Sequence, residues 1–148
     1  MTRPPHILLV EAPYYAHIAD LLRRGAERAL AAAGATHEIV SVPGAFEIPA
    51  AIGLAARATT RFDGFVALGC VIRGETTHYD HICAESARGL QDLAVRDGLA
   101  IGYGILTVEN EAQALVRAAP EGRDKGGEAV RACLALVALK RRFLPLAG

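Results

Sequence analysis

FVALGCVIRGETTHYDHICAESARG, running from Phe65 to Gly89, decides the fold. Phe65 to Ile72 is an unbroken apolar run of strand length, the pattern of a strand covered on both faces. It stops at Arg73-Gly74-Glu75-Thr76-Thr77-His78. Thr77 with Asp80 three residues later predicts a capping box that opens a helix reaching about Arg96. A buried strand that passes through a short polar loop into a helix is half of a crossover, and crossovers build parallel sheets.

The same alternation extends towards both ends. On the N-terminal side HILLV, His6 to Val10, is a second buried strand. From Tyr15 onward Ile18, Leu21, Leu22, Ala26, Ala29, Leu30 and Ala33 recur at three- and four-residue steps, and Gly34 stops that helix. Glu38 to Val42 is a strand closed by Pro43-Gly44, and Pro49 suits the first turn ahead of a helix over Ala50 to Ala58. On the C-terminal side Ala100 to Leu106 is a strand loosened by Gly102 and Gly104. Helices over Glu109 to Ala118 and Gly126 to Arg142 follow, separated by PEGRDKG, where Pro120 and Gly122 forbid one continuous helix. The order β-α-β-α-β-α-β-α-α specifies an α/β fold, a four-stranded parallel sheet between two helical layers, as a single domain over residues 1–148.

Composition narrows the partners. The 16 basic side chains of the 148-residue chain balance its 16 acidic ones, so no long-range field draws nucleic acid or an anionic membrane. No charged-apolar-small leader stands at the N-terminus, and the stretch ending in CLALVALKRR is too short to span a bilayer, so a cytoplasmic location is expected. Cys70, Cys83 and Cys133 are odd in number and lack metal-ligand spacing, which reads as reduced, buried thiols. A mean hydropathy of +0.25 together with many small residues on helix faces points to a homo-oligomer.

In a parallel sheet the loops after the strands share one edge. Those loops carry Tyr14 and Tyr15, then Phe46 and Glu47, then Gly74, Glu75, Thr76 and His78: a stacking surface, a carboxylate, an anion nest and a base. An imidazole beside an anion loop is a candidate proton shuttle, because histidine ordinarily titrates near neutral pH. Each residue also has a purely structural reading. Tyr14 or Tyr15 could be a hydrophobic staple for the first helix, Glu47 could complement the N-terminus of the second, and His78 could be an idle residue at a helix start. Arg117 and Lys125 read from spacing alone as solvated charges. His78, Asp80 and His81 do not converge as a metal site, so no metal is expected.

Four blocks in order, PGAFEIP (Pro43 to Pro49), ALGCVIRGETTHYDHICAESARGL (Ala67 to Leu90), GILTVEN (Gly104 to Asn110) and DKGGEA (Asp124 to Ala129), closely resemble the lumazine synthases of riboflavin biosynthesis. The resemblance covers nearly the whole chain and implies a flavodoxin-like, three-layer αβα sandwich. It implies condensation of 5-amino-6-(D-ribitylamino)uracil with 3,4-dihydroxy-2-butanone 4-phosphate, two small-molecule substrates, without a cofactor. By the family pattern Tyr14 stacks on the pyrimidine, and Ala45, Phe46 and Glu47 line the ribityl pocket. Cys70, Val71 and Ile72 meet the pyrimidine largely through backbone groups. Glu75 and Thr76 hold the phosphate through their amides with help from Arg117, and His78 transfers protons. Lys125 and Glu128 form a supporting pair, while Tyr103 and Arg117 come from a neighbouring subunit. PEGRDKG departs from the Gly-Lys-rich, Asn-containing turn of icosahedral members, so the resemblance implies a free pentamer rather than a sixty-subunit shell. A flavin- or nucleotide-binding module would share the sheet but have no use for His78, and a silent scaffold would leave the Arg73 to His78 loop unexplained.

Overall fold

The computed structural model describes residues 3–144. Four strands, β1 (His6–Glu11), β2 (Thr36–Ser41), β3 (Gly64–Ile72) and β4 (Ile101–Val108), form one sheet in the order β2-β1-β3-β4. Every pairing is parallel, with Glu11 opposite Ser41 and Leu68, and Ile72 opposite Val108. Five helices connect and cover them: α1 (Ala16–Ala32), α2 (Ile48–Ala58), α3 (His78–Asp97), α4 (Glu111–Ala118) and α5 (Lys125–Phe143). This is the three-layer αβα sandwich expected from the alternation of apolar runs.

The strand period of two sorts side chains between two cores. Ile7, Leu9, Val66 and Leu68 face α1, α4 and α5, where Ile18, Leu22, Ala26, Leu30, Ala114, Val130 and Cys133 meet them. Leu8, Val10, Phe65 and Ala67 face Ile48 and Ile52 of α2 and Leu90 of α3. The fully buried side chains Ile18, Leu22, Ala26 and Leu30 repeat at four-residue steps, which explains why α1 forms and which stripe it buries. Gly34 ends it with a φ of 69°, a conformation most side chains avoid. None of the described helices is long and apolar enough to cross a membrane.

Some elements differ from the sequence expectation for identifiable reasons. β2 lies two residues earlier at its start than expected, because this edge strand is exposed or half-buried throughout and shows no apolar run. Pro43 and Gly44 are followed by a 3-10 turn over Ala45–Glu47, so α2 starts at Ile48 instead of Ala50. The capping box at α3 does not close: Thr77 precedes the helix, but its side chain makes no capping hydrogen bond. Gly102 does not loosen β4. A Cβ there would collide with the carbonyl of Ala129, so the glycine is what lets α5 lie against the strand. The PEGRDKG link separates α4 from α5 as expected, and Asp124 caps α5 by accepting the Gly127 N–H at 3.2 Å.

The order β2-β1-β3-β4 positions the site. The chain leaves β1 on one side to make β2 and returns on the other to make β3, so a crevice opens beyond the C-terminal ends of β1 and β3. Main-chain bonds carry the ladder into the loops bordering that crevice: Ala12 N–H donates to the Leu68 carbonyl, Val42 N–H to that of Glu11 and Arg73 N–H to that of Val108, each at 2.9 Å. Glu11, only 7% exposed, accepts from Arg23 Nη1 at 3.0 Å and from Ser41 Oγ at 3.0 Å. A buried carboxylate shared by α1 and β2 fixes where both neighbouring loops begin.

Candidate active site

A pocket of about 400 Å³ occupies that crevice. Tyr14 and Tyr15 come to it from the end of β1, Pro43 to Glu47 from the turn after β2, Cys70, Val71 and Ile72 from the end of β3, and His78 with Ile82 from the start of α3. Residues from four separate stretches of sequence therefore converge because parallel strands all end at one edge of the sheet.

The two tyrosines divide the structural and the binding roles. Tyr15 is half-buried, packs against the core under α1 and stands immediately before that helix. Tyr14 is 76% exposed, and its ring meets that of Tyr15 edge-on, with centroids 5.0 Å apart and planes at 77°. Tyr15 thus props a free Tyr14 ring over the pocket, a geometry that leaves a face for stacking on a planar ligand. Phe46, 54% exposed, offers a second ring from the 3-10 turn. Ala45 is buried beneath it, and Glu47 stands at the start of α2.

The last three residues of β3 are half-buried along one wall. Burial pushes the Cys70 thiol up to about 11, so it stays protonated at neutral pH and cannot act as a nucleophile there. Beyond Ile72 the chain is exposed from Arg73 through His78. The Thr77 side chain makes no capping bond to α3, and the dipole at this helix start favours an anion. His78 N–H donates to Thr76 Oγ1 at 3.3 Å, and the imidazole lines the pocket. Glu75 and Thr76 are exposed on the loop just before His78 and do not themselves line the pocket.

Four of the residues singled out from sequence lie elsewhere in this chain. Tyr103, 44% exposed on β4, lines a separate apolar groove of about 590 Å³ with Ala87, Leu90, Ala94, Leu99 and Leu136. Burial raises its phenol above the usual tyrosine value. Arg117 is half-buried on α4 and donates to the Gln113 carbonyl of its own helix at 3.1 Å. Lys125 and Glu128 pair at 3.0 Å in the first turn of α5. Among residues not singled out for a role, Pro43, Gly44 and Ile82 line the pocket; Ile82 stands four residues beyond His78, on the same helix face. A cavity of about 170 Å³ at the other end of the sheet contains Arg3, Asp63 and Arg141, whose charges are paired with one another at 2.7 and 3.5 Å.

A sequence model of the 6,7-dimethyl-8-ribityllumazine synthase family matches residues 4–141. The chain belongs to the 6,7-dimethyl-8-ribityllumazine synthase family. It is 59% identical over 138 residues to the 6,7-dimethyl-8-ribityllumazine synthase of Sphingopyxis alaskensis, covering 93% of this chain and 96% of that one. It is 56% identical to 6,7-dimethyl-8-ribityllumazine synthase 1 of Rhizobium meliloti, covering 95% of each. With the 6,7-dimethyl-8-ribityllumazine synthase of Agrobacterium fabrum the identity is 54%, over 94% of this chain and 97% of that one. The match to the lumazine synthase family spans every strand of the sheet and every loop around the pocket.

Proposed function

We propose that this chain makes 6,7-dimethyl-8-ribityllumazine by condensing 5-amino-6-(D-ribitylamino)uracil with 3,4-dihydroxy-2-butanone 4-phosphate, releasing phosphate and water. The observation that carries this reading is one pocket in which a free aromatic ring, the N-terminus of a helix and a histidine meet, in a chain of this family. The 5-amino group adds to the ketone and loses water to give an imine. Phosphate is then eliminated, and the ribityl-bearing nitrogen closes on the remaining carbonyl with loss of a second water. Every step moves a proton, and none requires an electron carrier.

The pocket suits that division of labour. Tyr14 stacks on the pyrimidine while Cys70, Val71 and Ile72 meet its edge. Ala45, Phe46 and Glu47 border the ribityl chain. The Glu75 and Thr76 amides hold the phosphate at the start of α3, so the departing anion is stabilised where its charge grows. His78 stands between loop and pocket and hands protons to the carbinolamine and the leaving group. Holding both substrates in one cleft supplies a further share of the rate by making the condensation effectively unimolecular.

Arg117 and Tyr103 do not line this chain's own pocket, and in the proposed assembly they complete a neighbour's site. Lys125 and Glu128 support that junction as a pair. The apolar groove around Tyr103, with Leu115, Val116, Leu136 and Leu139 exposed on α4 and α5, is the surface that a ring of copies covers. The assembly is a cytosolic pentamer, since PEGRDKG lacks the turn composition of shell-forming members. Light scattering is expected to give a mass of about five chains, unaffected by phosphate buffer. A particle of about sixty chains would overturn the turn argument, and an active monomer would overturn the shared site.

The substrate assignment is tested by two variants with opposite expected effects. Arg117→Ala is expected to weaken binding of the butanone phosphate and of inorganic phosphate far more than binding of the pyrimidine, because a guanidinium fork matches phosphate oxygens. Tyr14→Ala is expected to do the reverse, costing about 1 kcal/mol of pyrimidine affinity through lost stacking. Calorimetric titration with each ligand reads the division. Equal losses for both ligands, or a pyrimidine effect at Tyr15→Ala with none at Tyr14→Ala, would contradict it.

A further inference from the structure

Arg73 opens the loop that the phosphate approaches, yet its guanidinium is already engaged. Nε donates to Glu109 Oε2 at 2.8 Å, Nη1 lies 3.5 Å from Asp80 Oδ1, and the guanidinium carbon sits 4.3 Å from the centre of the Tyr79 ring. Two carboxylates on one guanidinium leave the local charge negative, the wrong sign for a phosphate ligand. Glu109 is held in turn, since its own N–H donates to Gln113 Oε1 at 2.8 Å in the first turn of α4.

The topology of these contacts gives them a purpose. Arg73 stands at the start of the Gly74–Thr77 loop, whereas Tyr79 and Asp80 stand just past its end on α3. Glu109 lies at the end of β4, where Arg73 N–H also bonds the Val108 carbonyl. One planar side chain thus joins both ends of the loop to the edge of the sheet. Within the loop and its flank, the side-chain hydrogen bond among the described residues is the one from His78 N–H to Thr76 Oγ1, and Gly74 has open space where a side chain would project.

We propose that Arg73 is a positioning residue: its guanidinium fastens both ends of the Gly74–Thr77 loop to Glu109, fixing the loop amides relative to His78, and does not itself bind the phosphate. The inference rests on the reading of this loop as the phosphate site. Each contact alone is an exposed pair of small worth, but three on one rigid plane restrain the loop in position and angle together. Lysine cannot replace the group, because an ammonium has no fork for two carboxylates and no flat face for Tyr79.

The test compares wild type with Arg73→Lys, Glu109→Gln and the double variant, by calorimetric titration with inorganic phosphate and by steady-state kinetics. Each single variant is expected to weaken phosphate by about three- to tenfold and to raise KM for the butanone phosphate, leaving KM for the pyrimidine unchanged. The double variant should lose no more than the weaker single one, because both changes break the same link. Glu109→Gln decides the sign. A guanidinium that bound phosphate directly would be freed by losing its carboxylate, so unchanged or tighter phosphate binding in that variant overturns the proposal. Wild-type phosphate affinity in Arg73→Lys overturns it equally, as does a matching rise in both KM values, the mark of a general structural loss. Failure of the underlying functional reading is distinguishable, because it shows as absent condensation by the wild-type chain, whereas the titration reads the loop without turnover.

Discussion

Replacing His78 by alanine is expected to lower kcat by about two to three orders of magnitude while the melting temperature and the assembly stay as in the wild type. The imidazole is exposed at the first turn of α3, and its residue contributes a backbone N–H to the Thr76 hydroxyl, a bond that alanine retains. Stability therefore has little to lose. Catalysis has much to lose, because imine formation, phosphate departure and ring closure each move a proton at the place where this side chain meets the pocket. Cys70 cannot substitute for it, since burial holds that thiol protonated, at about 11. Residual activity is expected from substrate alignment and from stabilisation of the departing phosphate. Single-turnover absorbance measurements separate the chemical step from product release, and an unchanged rate in that step would remove His78 from the mechanism.

Gly126→Ala is expected to be strongly destabilising, as Gly102→Ala would be for the same reason, an added methyl meeting backbone. Gly126 begins α5 against α1, and a Cβ there would run into the Leu22 carbonyl and stand 3.2 Å from the Ala26 nitrogen. Both are backbone atoms of residues in the buried stripe that locks α1 into the core, so neither can move aside cheaply. Next to it Asp124 adopts a left-handed conformation, φ 49°, with a buried carboxylate 3.6 Å from Arg28 and 3.7 Å from Arg131. Parting α1 from α5 disturbs that cap as well. A cost of about 3 kcal/mol is expected, at the upper end for overpacking. For a chain of this size that corresponds to a fall of roughly 10 °C in Tm. Gly74→Ala, where an added methyl meets nothing, is the control and should melt with the wild type. Equal melting of both variants would show that the α1–α5 contact yields without cost.

Elements with strong local signals were legible in the sequence. β3 is an apolar run on an interior strand, α1 repeats its buried stripe, and the loops could be gathered at one edge because parallel strands require it. β2 begins ahead of its apolar residues because an exposed edge strand carries no burial pattern. The glycines of β4 read as weakness, yet their function is to admit a helix that lies far along the chain. Thr77 and Asp80 matched a capping box in composition, whereas the Thr77 side chain makes no capping bond at the place assigned to an anion. The Arg73 contact was invisible for the same reason as the role of Gly102: its partner Glu109 is 36 positions away. Tyr103 and Arg117 stand out through the family resemblance, and no local pattern on β4 or α4 distinguishes them.

The measurement that tests the central claim most directly mixes both substrates with the purified chain and follows lumazine absorbance together with phosphate release. The account predicts that enzyme accelerates both signals, one phosphate per lumazine, and that a chelator leaves the rate unchanged because the pocket chemistry uses protons and an anion site alone. Saturable binding of the ribityl pyrimidine or of a flavin, with lumazine appearing no faster than without protein, would contradict it.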